Sequence, residues 1–80
     1  MDIQQLRKEE KRIEKQLLHG DKKPSQDDLI RLVNQIKEFI ENAVVKDWEE
    51  GFILFRKWKT LLEHYHGYYY SDNPKPGVNQ

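Results

Sequence analysis

The chain has 80 residues, no cysteine, and 14 basic side chains against 14 acidic ones, which gives a formal net charge of zero. The absence of cysteine excludes disulfide bonds and thiolate zinc sites, and the balanced charge excludes a global field that would draw the protein to nucleic acid or an acidic membrane. Because so short a chain buries little surface, we expect one small domain reinforced by self-association or by docking on a partner.

The first predicted helix covers residues 2–19. Glu10 interrupts a narrow apolar seam with coiled-coil spacing that is formed by Ile3, Leu6, Ile13 and Leu17. A charged residue there either fixes the register of helix pairing or reaches out to solvent, and the second interpretation is the simpler one. Gly20 is expected to end the helix in the left-handed conformation, and Pro24 prevents its continuation.

Ser25 opens the second predicted helix, at residues 26–45. A serine followed three residues later by Asp28 is a capping-box pattern, and acidic residues favour the positive start of a helix. The apolar residues after it form an arc of roughly 140°, which makes this the most clearly amphipathic segment of the chain.

The third predicted helix covers residues 48–66. A second capping pattern makes Asp47 the expected N-cap, so we expect two separate helices, with one continuous helix over 26–66 as the alternative. The apolar arc of the third helix is roughly 180° wide. Gly67 is its expected left-handed end, since turn-forming residues follow in 68–80.

These segments predict an all-α fold with one helical domain at 1–67 and an irregular or flexible tail at 68–80. The three helices form either a small antiparallel bundle or a helical hairpin accompanied by a coiled-coil-like first helix.

The aromatic residues are concentrated in the second half of the chain, since all nine lie after position 38. Most are expected in the core. The apolar arcs of the second and third helices nevertheless exceed what a narrow first helix covers, which predicts a homodimer or a dedicated partner. Three consecutive tyrosines cannot all face inward, and tyrosine is a favoured interface anchor. The candidate partner-binding residues are Trp48, Phe52, Tyr68, Tyr69 and Tyr70.

Basic and aromatic residues alternate in the third helix, which is the best sign of nucleic-acid binding in the chain. The candidate residues for this alternative are Arg56, Lys57 and Lys59. Base stacking needs aromatic rings beside the cations, whereas the helical spacing turns Phe55 and Trp58 away from them. A solvated polar face is therefore the simpler interpretation.

No residue pattern predicts catalysis, a metal or a cofactor. His64 and His66 are two residues apart, so their rings point to opposite sides of a helix, whereas helical metal pairs are three or four residues apart. The sequence has no cysteine nucleophile, glycine-rich phosphate loop or placed serine–histidine pair.

The stretch Leu61-Leu62-Glu63-His64, followed by Tyr69-Tyr70-Ser71-Asp72-Asn73, resembles the tyrosine-bearing segment of the immunity proteins for nuclease colicins. Those are small cytoplasmic helical bundles that inhibit a toxin. This chain lacks their strong acidity and a fourth helix after the tyrosines, so the resemblance implies no site residues and only favours an inhibitor.

We therefore expect a non-enzymatic interaction module that inhibits or adapts a larger protein through the aromatic face of the third helix and the tyrosine-rich tail. The alternatives are a small dimeric nucleic-acid-binding regulator and a coiled-coil structural subunit. A cytoplasmic location without membrane contact is expected, because no apolar run approaches about 18 residues and the N-terminal segment lacks the apolar core of a secretory signal.

Overall fold

The computed structural model describes residues 3–20 and 23–75. It contains three α-helices, which are α1 at Ile3–His19, α2 at Gln26–Asn42 and α3 at Val45–His66. No strand occurs among these residues, so the predicted all-α fold is confirmed. None of the three helices combines the length and the hydropathy that crossing a lipid bilayer requires.

Helix α2 begins as the sequence predicts. Ser25 has an extended backbone, and its Oγ accepts a hydrogen bond from the backbone N–H of Asp28 at 3.1 Å. This bond satisfies one of the N–H groups that the first turn of a helix leaves without an intrahelical partner.

The predicted break between α2 and α3 is confirmed, but it lies earlier than expected. Ala43 and Val44 have extended backbones, and α3 begins at Val45. Asp47 lies in the first turn and Val44 occupies the N-cap position without a side-chain hydrogen bond, so the prediction that Asp47 is the N-cap is wrong. The indole Nε1 of Trp48 donates to the carbonyl oxygen of Ala43 at 3.1 Å, which satisfies an acceptor left free where α2 stops.

The two glycines expected to end helices behave differently. Gly67 has a φ of 63° and its N–H donates to the carbonyl oxygen of Glu63, as predicted for a left-handed cap. Gly20 is not left-handed, so that prediction is wrong. Its N–H continues the helical pattern by donating to the carbonyl oxygen of Gln16 at 3.0 Å, and a Cβ at Gly20 would lie only 2.6 Å from that oxygen.

The helices run up, down and up, so helices that follow each other in sequence are antiparallel. Ion pairs join Arg7 to Glu50 and Glu14 to Lys57, which shows that numbering rises in the same direction along α1 and α3. Helix α2 packs mainly on α3. The core comprises the buried apolar residues Leu6, Ile13, Leu29, Leu32, Val33, Ile36, Phe39, Ile40, Phe55, Trp58, Leu62 and Tyr70.

Helix α1 joins α3 through side chains alone, because no Cα atom of α1 comes within 8 Å of one in α3. The indole of Trp58 has no exposed surface, and its Nε1 donates to Oε2 of Glu10 at 2.8 Å. Arg7 and Glu14, one turn before and after Glu10 along α1, make the two ion pairs to α3. Of the two interpretations of Glu10, the structure supports the one in which it fixes helix pairing.

Helices α2 and α3 lie close together at Gly51. A Cβ on this buried glycine would lie 2.6 Å from Cγ1 of Ile40 and 3.3 Å from the ring of Phe39. Glycine lowers the stability of a helix interior by about 1 kcal/mol relative to alanine. The close approach of the two helices accounts for a glycine at this position.

Replacing Gly51 with alanine is expected to destabilise the protein, although alanine is the better helix former. Overpacking of a core costs about 1–3 kcal/mol, which at all but its lower limit exceeds the helix-propensity gain of about 1 kcal/mol. Ile40 is fully buried and cannot move into solvent. Urea unfolding of Gly51→Ala measures the change, and Glu49→Ala at an exposed site of the same helix is the control. A more stable Gly51→Ala protein would contradict the close approach.

Candidate binding site

The segment that follows α3 reverses direction at Gly67 and lies along the groove between α2 and α3. Tyr70 contacts both helices, and its ring meets that of Phe55 edge-on with 5.8 Å between centroids. Further along, Asp72 forms an ion pair with Lys37 of α2 at 3.1 Å. That hydrogen-bonded pair raises the pKa of the Lys37 ammonium group above its ordinary value. We call residues 67–75 the C-terminal strap.

Tyr70, one of the predicted partner-binding residues, is packed into the core. Only 6% of its surface is exposed, and its hydroxyl donates a hydrogen bond to Oδ1 of Asn34. Burial is the main cause that raises the pKa of the Tyr70 hydroxyl above its usual range. Residues 68–75 form no helix or strand, as predicted for 68–80, of which 76–80 lie outside the described residues. The reversal at Gly67 nevertheless returns the strap to the core. Tyr70 is therefore not accessible to a partner while the strap stays in its groove.

The other predicted partner-binding residues differ in accessibility. Tyr69 is 77% exposed and Tyr68 is 37% exposed, so the first two tyrosines of the run are accessible to solvent and only the third is buried. Trp48 is half-buried and its indole is occupied by the bond to Ala43. Phe52 is also half-buried and lines a surface cleft.

A cleft of about 230 Å³ lies between α3 and the strap. Six residues line it: Phe52, Phe55, Arg56, Lys59, Asn73 and Pro74. We call it the α3–strap cleft. Three of the six lining residues are apolar, and two cationic side chains from successive turns of α3 contribute to the polar part of the lining. The buried Pro74 belongs to the strap, so the site exists only while the strap stays in its groove.

The structure separates the three residues predicted for nucleic-acid binding. The Nζ of Lys57 bonds to Oε1 of Glu14 at 2.5 Å and lies 5.1 Å from the centre of the Trp58 ring, so this cation helps to hold α1. Arg56 and Lys59 lie at the cleft instead. The prediction from helical spacing, that Arg56 lies away from aromatic rings, is therefore wrong for Phe52. This residue lies one turn before Arg56 and lines the same cleft.

The cations of the cleft have no carboxylate partner among the described residues. Arg56 forms no ion pair there, and the Nζ of Lys59 donates only to the amide oxygen of Asn73, at 3.3 Å. The same Nζ lies 6.0 Å from the centre of the Phe55 ring. The cleft therefore has a positive and partly apolar surface.

The histidines of α3 take structural or exposed positions. Nε2 of His66 donates to the carbonyl oxygen of Pro24 at 2.8 Å, which fastens the end of α3 to the start of α2. His64 is exposed and its ring packs edge-on against Tyr65. Within 3–20 and 23–75, no three His, Asp or Glu residues lie close enough together to hold a metal ion.

Comparison with protein-family models, with curated proteins and with solved structures finds no match to this chain. The resemblance of residues 61–73 to the immunity proteins thus has no support from a related sequence or a similar fold.

Sequence reasoning missed the strap residues that complete the site. Asn73 and Pro74 line the cleft, and Asn34 and Asp72 take part in the bonds that hold the strap. The turn-forming residues of 68–80 predict a local change of chain direction and no contact with a helix. Two features of the sequence bear on the position of the strap, namely a tyrosine after α3 and the wide apolar face of α2. No local pattern specifies that Tyr70 contacts α2, because the two are distant in sequence.

Single alanine substitutions at Tyr69 and Tyr70 are expected to differ sharply in their effect on stability. Tyr70→Ala leaves a core cavity and should lower the free energy of unfolding by about 3 kcal/mol or more. Tyr69→Ala removes an exposed ring and should change it by less than about 0.5 kcal/mol. Thermal and urea unfolding of both variants provide the measurement. Equal losses, or a larger loss for Tyr69→Ala, would contradict the described path of the strap.

Proposed function

We propose that this protein is a non-catalytic interaction module that binds a larger protein through the α3–strap cleft and the neighbouring exposed strap residue Tyr69. One observation carries the proposal. The cleft combines a partly apolar lining with two cations that have no carboxylate partner among the described residues. Sites that combine apolar area with a few placed polar groups are typical of specific recognition. Inhibition and adaptor function both remain within this proposal.

The geometry favours a protein partner over nucleic acid. Phe55 is buried and Phe52 half-buried, so neither ring offers the open face on which a base could stack. Lys57 is engaged by Glu14, which leaves Arg56 and Lys59 as the cations of the site. Two phosphate contacts would supply little of the electrostatic affinity on which nucleic-acid binding depends.

A homodimer stays a prediction. The wide apolar arcs of α2 and α3, on which that prediction rests, are partly covered by Tyr70 and Pro74 of the strap. Ile53, Val44 and Val45 remain exposed and are the residues that self-association would use.

Affinity capture from nuclease-treated lysate of the organism that encodes the chain tests the proposed function. The wild type should retain a protein that Tyr69→Ala and Arg56→Ala each retain at least about tenfold less, as expected for interface anchors. Lys46→Ala is the matched control, because Lys46 is an exposed cation of α3 outside the cleft.

Equal capture by the wild type and both variants would contradict the proposed surface. Capture that occurs in untreated lysate and is lost after nuclease treatment would favour the nucleic-acid alternative. Thermal unfolding of the variants shows whether they remain folded.

A further inference from the structure

We propose that the α3–strap cleft binds a short acidic segment of the partner, in which an aspartate or glutamate stands next to an apolar side chain. This inference rests on the proposed function and adds the chemistry of the ligand. In the bound state the apolar side chain lies against Phe52 and Pro74, and the carboxylate lies between Arg56 and Lys59.

The two positive charges of the cleft, on Arg56 and Lys59, favour a ligand that carries a negative charge. Arg56 and Lys59 are three residues apart on α3, and like charges at this spacing repel each other across one helical turn. The acidic residues that could compensate them are occupied or do not pair with them. Asp72 binds Lys37, and Glu63, one turn after Lys59, forms no ion pair with it.

A carboxylate also fits the donors at the mouth of the cleft. The guanidinium of Arg56 presents parallel N–H groups that match the two oxygens of a carboxylate, and Lys59 adds a flexible point charge. The bond from Lys59 to Asn73 is long, at 3.3 Å, and links exposed groups, so a carboxylate can replace it without leaving a buried group unsatisfied.

The size and floor of the cleft limit the ligand to a short segment. Its volume of about 230 Å³ lies below the range in which pockets for drug-sized molecules begin, about 300 Å³. Phe52, Phe55 and Pro74 give it an apolar floor, which a lone inorganic anion would leave uncovered. An acidic residue beside an apolar one satisfies both parts of the lining, whereas a phosphate backbone satisfies only the cations.

Selection from a random-peptide display library tests this inference with the whole chain. Wild-type protein should enrich peptides with net negative charge in which an apolar residue adjoins an aspartate or glutamate. A synthetic copy of the most enriched peptide should bind the wild type at least about tenfold more tightly than it binds the Arg56→Gln/Lys59→Gln variant, the loss expected from removing charge-assisted bonds.

Two matched controls separate the site from general electrostatics. The variant Lys8→Gln/Lys46→Gln loses the same charge at exposed positions outside the cleft and should bind the peptide within about twofold of the wild type. A peptide in which asparagine or glutamine replaces the acid should lose affinity as the cleft variant does.

The inference is overturned if no peptide is enriched, if enriched peptides are neutral or basic, or if the cleft variant binds them as well as the wild type. It is also overturned if a single-stranded oligonucleotide, and not the peptides, binds in a way that Arg56→Gln/Lys59→Gln abolishes. If peptide binding fails while lysate capture still depends on Tyr69 and Arg56, the proposed function stands and only the acidic ligand is wrong.

Discussion

The burial of the Trp58 indole is the constraint on which the arrangement of the three helices depends. Its N–H group is removed from water, and leaving such a donor without a partner costs about 1–3 kcal/mol. Glu10 supplies the acceptor from α1, at a position where the seam would otherwise carry an apolar residue. Because the carboxylate must reach one atom, this bond sets the register of α1 along α3. In this register Arg7 and Glu14, one turn before and after Glu10, form ion pairs with Glu50 and Lys57 of α3.

Helix α2 and the C-terminal strap complete the core beside the contact between Trp58 and Glu10. Helices α2 and α3 approach closely at Gly51, which brings the wide apolar faces of both against each other. What α1 does not cover is covered in part by the C-terminal strap, through Tyr70 and Pro74. The strap thus completes the core, and by lying beside α3 it also forms one wall of the α3–strap cleft. Stability and the candidate site are therefore coupled in this protein, since a change that releases the strap removes the site.

Features encoded by neighbouring residues could be predicted from the sequence. The helical periods, the Ser25 cap and the Gly67 reversal all depend on residues a few positions apart. The end of α2 could not be placed, because no glycine marks it and the Ala43 carbonyl is satisfied by the indole of Trp48 from the next helix. The cleft was missed for another reason. Asn73 and Pro74 reach it through long-range contacts of Tyr70 and Asp72, which no spacing in the sequence specifies.

A double-mutant cycle on Glu10 and Trp58 tests most directly whether this bond fixes α1. In the wild type, Glu10→Ala leaves the buried indole N–H unsatisfied, whereas in a Trp58→Phe background no such donor remains. Urea unfolding of the four proteins should therefore give a coupling free energy of about 1–3 kcal/mol. Glu9→Ala is the control and should show no coupling to Trp58, because within 3–20 and 23–75 Glu9 pairs only with Arg12 of the same helix. Additivity of Glu10→Ala and Trp58→Phe within about 0.5 kcal/mol would contradict the account.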